Sequence, residues 1–364
     1  MRKLETLTVE NFKSIRKQTL RLGALNVFIG GNGSGKSNLV ETFRFLREIV
    51  NQQLSAYTLR KGGADTLLYF GRRTSPTMKF RLEFSEKPTT SNGYSVTLAG
   101  TNDDSLIVAA ETAYYHDKAK YVVPYDRTVA TQARESKLRE HDHASARQVL
   151  RDLESYRVYH FHDTSDHAAA KGSSDVDDNQ YLRPQAENLP AFLYWLQQKQ
   201  PNHLANIRDT VRQIAPFFDD FRLTPSRLNE GKIRLEWKEV GSDAYFNASS
   251  LSDGTLRFIC LATLLLQPDL PAMVLLDEPE LGLHPAAINL LASLLSSAAA
   301  RTQVMIATQS VTLVNQFEPD DVWTVDREEQ QSVFRHLSEQ DMAGWLDDYA
   351  LGELWEKNVL GARP

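Results

Sequence analysis

The segment Gly30-Gly31-Asn32-Gly33-Ser34-Gly35-Lys36-Ser37 constrains this 364-residue chain more than any other feature. It follows an apolar run, Leu25–Ile29, and precedes Leu39, Phe43, Leu46 and Val50, which recur at helical spacing. Strand, glycine turn, helix is the context in which successive backbone N–H groups curl toward one centre. The helix adds the positive end of its dipole there, so phosphate oxygens are the ligand that fits. In this G-x-x-x-x-G-K-S pattern, Gly30, Asn32, Gly33, Ser34 and Gly35 form the cradle. Lys36 would reach the β- and γ-phosphates of ATP, and the Ser37 hydroxyl would ligate Mg²⁺.

A second segment, Val274-Leu275-Leu276-Asp277-Glu278, is an apolar strand ending in two acids. It is expected to bring Asp277 to a sheet edge beside the phosphate loop, holding Mg²⁺ through water. Glu278 would then polarise the attacking water as general base. A third segment, Leu251-Ser252-Asp253-Gly254-Thr255-Leu256-Arg257, precedes the apolar helical run Phe258–Leu266. A serine there can be a plain N-cap; it also offers a hydroxyl and free N–H groups to an anion.

The rest of the chain bounds the setting. With 41 basic and 47 acidic residues, the net charge of −6 argues against nucleic-acid binding by bulk charge, though a local basic patch is allowed. The single cysteine, Cys260, excludes an internal disulfide. The N-terminus shows no signal sequence, and the longest apolar stretches fall short of the roughly 20 residues that span a bilayer. A cytoplasmic protein without membrane contact is expected.

Leu7 and Val9 alternate as a first strand. Met78–Tyr115 reads as an antiparallel meander, with period two broken at Ser91-Asn92-Gly93 and Asn102-Asp103-Asp104. Arg127–Leu153 is charged and helix-compatible, its Arg134, Lys137, Arg139, Arg147 and Arg151 interleaved with acids as on a solvated face. Lys171–Asp178 reads as a loop, and Asn188–Phe218 as two helices broken near Pro201. Strands are expected near Phe221–Leu223, Ile233–Trp237, Val322–Asp326 and Ser332–His336, then a C-terminal helix. The apolar run Trp345, Leu346, Tyr349, Leu351, Leu354, Trp355, Val359, Leu360 is expected to dock on the chain itself, with a partner-binding segment as the alternative. The cluster His160, His162, Asp163, Asp166, His167 could in principle hold a metal, because His160 and His162 would share one face of a strand. A strand leaving the core for a polar loop is the commoner origin of such a run.

Four blocks give the chain a resemblance to the RecF/SMC/OLD branch of ABC-type ATPases, among AAA-like bacterial ATPases. They are Glu10-Asn11-Phe12-Lys13-Ser14, Asn32 to Asn38, Leu251-Ser252-Asp253-Gly254, and Asp277-Glu278-Pro279-Glu280-Leu281-Gly282-Leu283-His284-Pro285. They cover both ends of the chain but not the middle, from about Tyr94 to Phe218. The resemblance implies an α/β P-loop ABC-type ATPase head with a mixed sheet, an antiparallel β subdomain and a helical insertion. It divides the chain into 1–120 with the P-loop and meander, 121–220 as a helical insertion or lid, and 221–364 with the signature and second acid pair. It also implies that two heads sandwich two ATP molecules, as a homodimer or higher even oligomer through the nucleotide face. Asn38 and Lys13 would join the ATP site, while Ser252, Asp253, Gly254 and His284 would act in trans on the partner's nucleotide.

Three positions depart from the wider pattern. Gln309, in Ala307-Thr308-Gln309-Ser310, stands where transport ATPases carry a switch histidine and joins Glu278 as a candidate catalytic residue. Asp253 replaces the first signature glycine. No glutamine is evident for the loop that senses the γ-phosphate. These bear on hydrolysis rate more than on binding. The resemblance points to bacterial DNA maintenance or anti-phage defence. OLD-type relatives carry a nuclease domain after the ATPase; 54 residues follow Ser310 (364 minus 310), so a separate effector protein is expected. A nucleotide-gated scaffold with little turnover and a transporter ATPase subunit are the competing readings.

Overall fold

A computed structural model describes residues 3–87, 89–340, 342 and 344–362. The chain opens with a hairpin, β1 (Lys3–Phe12) and β2 (Ile15–Arg21), then runs through β3 (Leu25–Ile29) into α1 (Lys36–Val50) and the short α2 (Leu54–Arg60) and α3 (Ala64–Leu67). The meander follows as β4 (Thr77–Lys87), β5 (Thr90–Gly100), β6 (Leu106–Asp117) and β7 (Tyr125–Ala133). Next come α4 (Ala144–Ser155), β8 (Tyr156–Tyr159), β9 (Ser173–Asp175), α5 (Leu189–Lys199) and α6 (Pro201–Ile214). Three short strands, β10 (Phe218–Arg222), β11 (Lys232–Arg234) and β12 (Glu236–Glu239), precede β13 (Tyr245–Asn247) and α7 (Asp253–Leu266). The chain closes through β14 (Met273–Asp277), α8 (Pro285–Ala299), β15 (Gln303–Thr308), α9 (Val311–Val314), β16 (Val322–Glu328), β17 (Gln331–His336) and α10 (Leu351–Glu356).

Two six-stranded sheets organise these elements. The central one has the order β17-β16-β3-β15-β14-β8, parallel throughout except for β17. Its inner strands are continuous apolar runs because both faces are covered. Val27, Ile29, Val274 and Leu276 enter a core with the helices α5 to α8. Phe28, Met273, Leu275 and Met305 enter the other core, with α1 and the outer sheet. That outer sheet is antiparallel, in the order β2-β1-β4-β5-β6-β7. A register shift between Leu4 and Thr6 resets the alternation of β1, so Leu4, Leu7 and Val9 are all buried. The chain is thus of the expected α/β class, with a mixed sheet and an antiparallel β subdomain. No helix among the described residues is long and apolar enough to cross a membrane.

Several segments differ from their sequence reading. Arg127–Leu153 is not one helix: β7 adds to β6 through its β-branched Thr128, Val129 and Thr131, and helix begins only at Ala144. Lys171–Asp178 contains a three-residue strand paired with β11, where only Ser174 and Ile233 are buried. Ile233–Trp237 is split between two sheets at the buried Leu235. Within 121–220, helices alternate with β7, which extends the outer sheet, and β8, which joins the central one. Toward the C-terminus, Leu351, Leu354 and Trp355 are buried, Gly352 N–H donates to Asn315 Oδ1 at 2.6 Å, and Trp345 stays exposed.

Candidate active site

Neighbouring backbone shapes the phosphate loop. A Cβ on Gly30 would lie 2.2 Å from the Val325 carbonyl oxygen of β16. Gly35 has a φ of +117°, and a Cβ there would lie 2.0 Å from Ser332 Oγ on β17. Hydroxyls then stitch the loop in place. Asn38 Nδ2 donates to Ser14 Oγ at 2.7 Å, Ser14 and Ser332 hydroxyls are 2.6 Å apart, and Ser332 Oγ donates to the Ser34 carbonyl at 2.5 Å. Asn38 therefore braces the loop against the β1–β2 turn. Lys36 is buried, its ammonium donating to the carbonyls of Gly30 at 2.5 Å and Gly31 at 3.0 Å. Burial lowers its pKa, against the opposing pull of Glu278, Asp277 and Glu280.

The acid pair Asp277-Glu278 reaches this loop across an intervening strand. β14 is not the neighbour of β3, because β15 lies between them. Parallel register brings Thr308 level with Ile29 and Asp277 level with Ala307, so the three strands end together. A crevice at the carboxyl ends of parallel strands is where such sheets hold ligands. The Glu278 N–H donates to the Ala307 carbonyl at 2.7 Å, with Glu278 at φ +43°. Holding a non-glycine residue there costs on the order of 1–3 kcal/mol. Burial and then the neighbouring Glu278 raise the Asp277 pKa, while His162, Ser37 and Lys36 favour its charged form.

Gln309 follows β15 and sits between the two acids and the loop. Its side-chain amide donates to the Glu278 carboxylate and, at 3.0 Å, to Asn32 Oδ1. Beneath it, Glu280 is buried. Its Oε1 accepts the Thr308 hydroxyl at 2.5 Å and the Gln309 N–H at 3.3 Å, and burial raises its pKa.

The residues assigned to act in trans form a separate group. Ser252 is exposed and caps α7, its Oγ accepting the Thr255 N–H at 3.2 Å. Asp253 lies 3.9 Å from the Lys171 ammonium. Gly254 packs so closely on the 281–284 loop that a Cβ would lie 2.7 Å from the Gly282 carbonyl. His284 is exposed and caps α8 by accepting the Ala286 N–H at 3.3 Å. Among the described residues, no hydrogen bond joins Ser252, Asp253 or His284 to the phosphate loop. Lys13 turns to α1, where it pairs with Glu41.

Sequence reasoning overlooked a connection between the two groups. Arg257, on the first turns of α7, donates to the carbonyls of Phe161 and His162 at 2.8 and 2.9 Å. His162 Nε2 in turn donates to the Asp277 carbonyl at 2.7 Å. The strand β8 stops at Tyr159, so His160 and His162 lie beyond it, their ring centres 5.9 Å apart. Among the described residues no three acid, histidine or cysteine side chains form a metal cluster. The closeness of 160–162 to Asp277 follows from the pairing of β8 with β14, which nothing in the local sequence announces.

A family model described as "AAA domain, putative AbiEii toxin, Type IV TA system" matches residues 25–315. The fold is similar to an SMC head solved with the C-terminal winged-helix domain of ScpA, at a TM-score of 0.60 and 16% identity, covering 93% of this chain and 99% of that one. It is also similar to the Pyrococcus furiosus SMC head with an extended coiled coil, bound to the C-terminal domain of ScpA, at a TM-score of 0.59 and 14% identity, covering 96% and 99%. No curated protein sequence matches the chain.

Proposed function

The chain belongs to the family described as AAA domain, putative AbiEii toxin, and from that premise we propose that it is an ABC-type ATPase head of the RecF/SMC kind that binds and hydrolyses ATP between two copies of itself. The observation that carries this reading is the meeting of Lys36, Asp277, Glu278 and Gln309 at the ends of β3, β14 and β15. On binding, the Lys36 ammonium exchanges two loop carbonyls for phosphate oxygens, a stronger charge-assisted contact. Ser37 and Asp277 offer the hard oxygen pair that suits Mg²⁺, which would neutralise phosphate charge. Glu278 takes the proton of the attacking water, and Gln309 holds its carboxylate in place without itself accepting a proton.

The second copy supplies what one head lacks. Ser252 presents its hydroxyl at an exposed helix start, and Gly254 ties that start to the 281–284 loop, where Leu281 is 49% exposed. These features suit a two-fold interface in which Ser252, Asp253, Gly254 and His284 face the partner's nucleotide. The biological role proposed is the ATPase component of a bacterial DNA-maintenance or anti-phage system, acting through a separate effector protein; the SMC heads of similar fold were solved bound to another protein, ScpA. Steady-state phosphate release tests the chemistry. Glu278→Gln is expected to keep ATP and Mg²⁺ binding while slowing turnover by about two orders of magnitude or more. Turnover near the wild-type rate would place the base elsewhere, and no turnover in the wild type would leave a nucleotide-gated scaffold.

A further inference from the structure

A cavity of about 460 Å³ lies between the phosphate-loop helix and the segment 156–160. Arg44 and Arg47 project into it from α1, and His160, Pro184 and Gln185 form the facing wall. A buried aromatic pair, Phe43 and Tyr156, with ring centres 6.1 Å apart, also lines it. The cavity's size falls within the range of small-molecule sites.

Its charge is unbalanced. Arg60, Arg72, Arg139, Arg183 and Arg212 each meet a carboxylate. Arg44, by contrast, donates to the His160 ring nitrogen Nε2, and the Arg47 guanidinium has no hydrogen bond or ion pair among the described residues. Arg157, close enough for Arg47 to disfavour its charge, donates to the carbonyls of Glu154 and Tyr156 and stacks on Tyr181 at 4.9 Å. None of the three meets a carboxylate. Glu48 is an acid on the wall, but it points to Arg60 at 3.1 Å. Because His160 must present a bare Nε2 to Arg44, it adds no charge of its own; burial and then Arg44 and His162 lower its pKa to about 4.

We propose that this cavity binds a phosphate-bearing small molecule of nucleotide size, distinct from the ATP on the phosphate loop. Guanidinium forks match phosphate oxygens in pairs, and an unpartnered Arg47 beside an Arg44 that meets only a neutral imidazole, next to two aromatic rings, suits a phosphate on the arginines and an apolar or ring portion against the rings. The same wall leads to the hydrolysis site. The His160 N–H donates to the Pro184 carbonyl at 2.9 Å, and two residues on, His162 holds the Asp277 carbonyl. A phosphate that draws Arg44 off His160 would release that turn, so occupancy would alter turnover.

The test is calorimetric titration of Lys36→Ala protein, which silences the phosphate loop, with inorganic pyrophosphate, AMP and a short single-stranded oligonucleotide. Each titration is repeated on Lys36→Ala/Arg47→Gln. Among the described residues the Arg47 side chain makes no hydrogen bond or ion pair, so the second substitution is expected to leave folding unaffected. Binding of pyrophosphate or AMP to the first protein, weakened about tenfold or more in the second, is the expected result. No binding to the first, or binding indifferent to Arg47, overturns the proposal. Arg47-dependent binding of the oligonucleotide alone also overturns it, in favour of a nucleic-acid contact. This readout does not depend on whether the chain hydrolyses ATP.

Discussion

Gln309 donates its side-chain amide to the Glu278 carboxylate, and the same nitrogen reaches Asn32 in the phosphate loop at 3.0 Å. One neutral group thus links the proposed general base to the cradle that would carry the γ-phosphate. A carboxylate restrained in this way is oriented before the water arrives, which is worth more than one left to rotate. Gln309→Ala is therefore expected to lower the rate of phosphate release by about 10- to 100-fold, as for loss of one hydrogen bond to a charged group, with ATP affinity changed by no more than about threefold. A variant with normal turnover would remove Gln309 from the catalytic apparatus.

Glu41 predicts a pH dependence in the fold rather than in the chemistry. Burial alone would raise its pKa, but hydrogen bonds from Lys13, Lys61 and Tyr57 outweigh that and hold it at about 2. A depressed carboxyl pKa stabilises the fold at every pH above the unfolded value, and that contribution is lost as pH falls from about 5 toward 2. Glu41→Gln is expected to be less stable at neutral pH and to show a flatter stability profile across that window. Urea unfolding at a series of pH values measures both. Parallel profiles for variant and wild type would show that the Lys13 and Lys61 contacts contribute nothing.

The C-terminal segment is expected to be structural. Trp355 is fully buried, and its indole N–H donates to the Ala362 carbonyl at 2.5 Å, while the Ala362 N–H meets Asp326 at 2.7 Å. Trp355→Ala should destabilise the chain by about 3–5 kcal/mol, read as a lowered urea midpoint. A loss below about 1 kcal/mol would mean that the segment is only laid on the surface.

These arguments separate what a local pattern carries from what only pairing reveals. The phosphate loop, the apolar strand ending in Asp277-Glu278 and the cap at Ser252 were legible because each is a contiguous run whose chemistry is set by its own residues. The meander from Met78 was legible for the same reason, through its period of two. The place of β8 was not: a strand leaving the core near His160 was expected, but that it stops at Tyr159 and lies beside β14 depends on backbone register. With it went the contact of His162 to Asp277 and the role of Arg257, which lie 115 and 95 residues from their partners Asp277 and His162. Glu280 was seen as part of a motif, but its burial under Thr308 and Gln309 needs the parallel pairing of β14 and β15. The turn at Ser14, read as part of a family block, gains its physical reason only when Ser332 arrives from the far end of the chain.

The central claim is that one head completes the other's site, and mixed pairs test it most directly. Ser252→Arg and Lys36→Ala chains, each inactive alone on this account, would be co-expressed under two different tags and purified through both, so that only mixed pairs are assayed for phosphate release. Such a pair holds one site with Lys36 from one chain and Ser252 from the other, and is expected to hydrolyse ATP at about half the wild-type rate per pair. Mixed pairs with no activity above either parent would contradict catalysis in trans, and so would a Ser252→Arg chain that turns over ATP normally by itself.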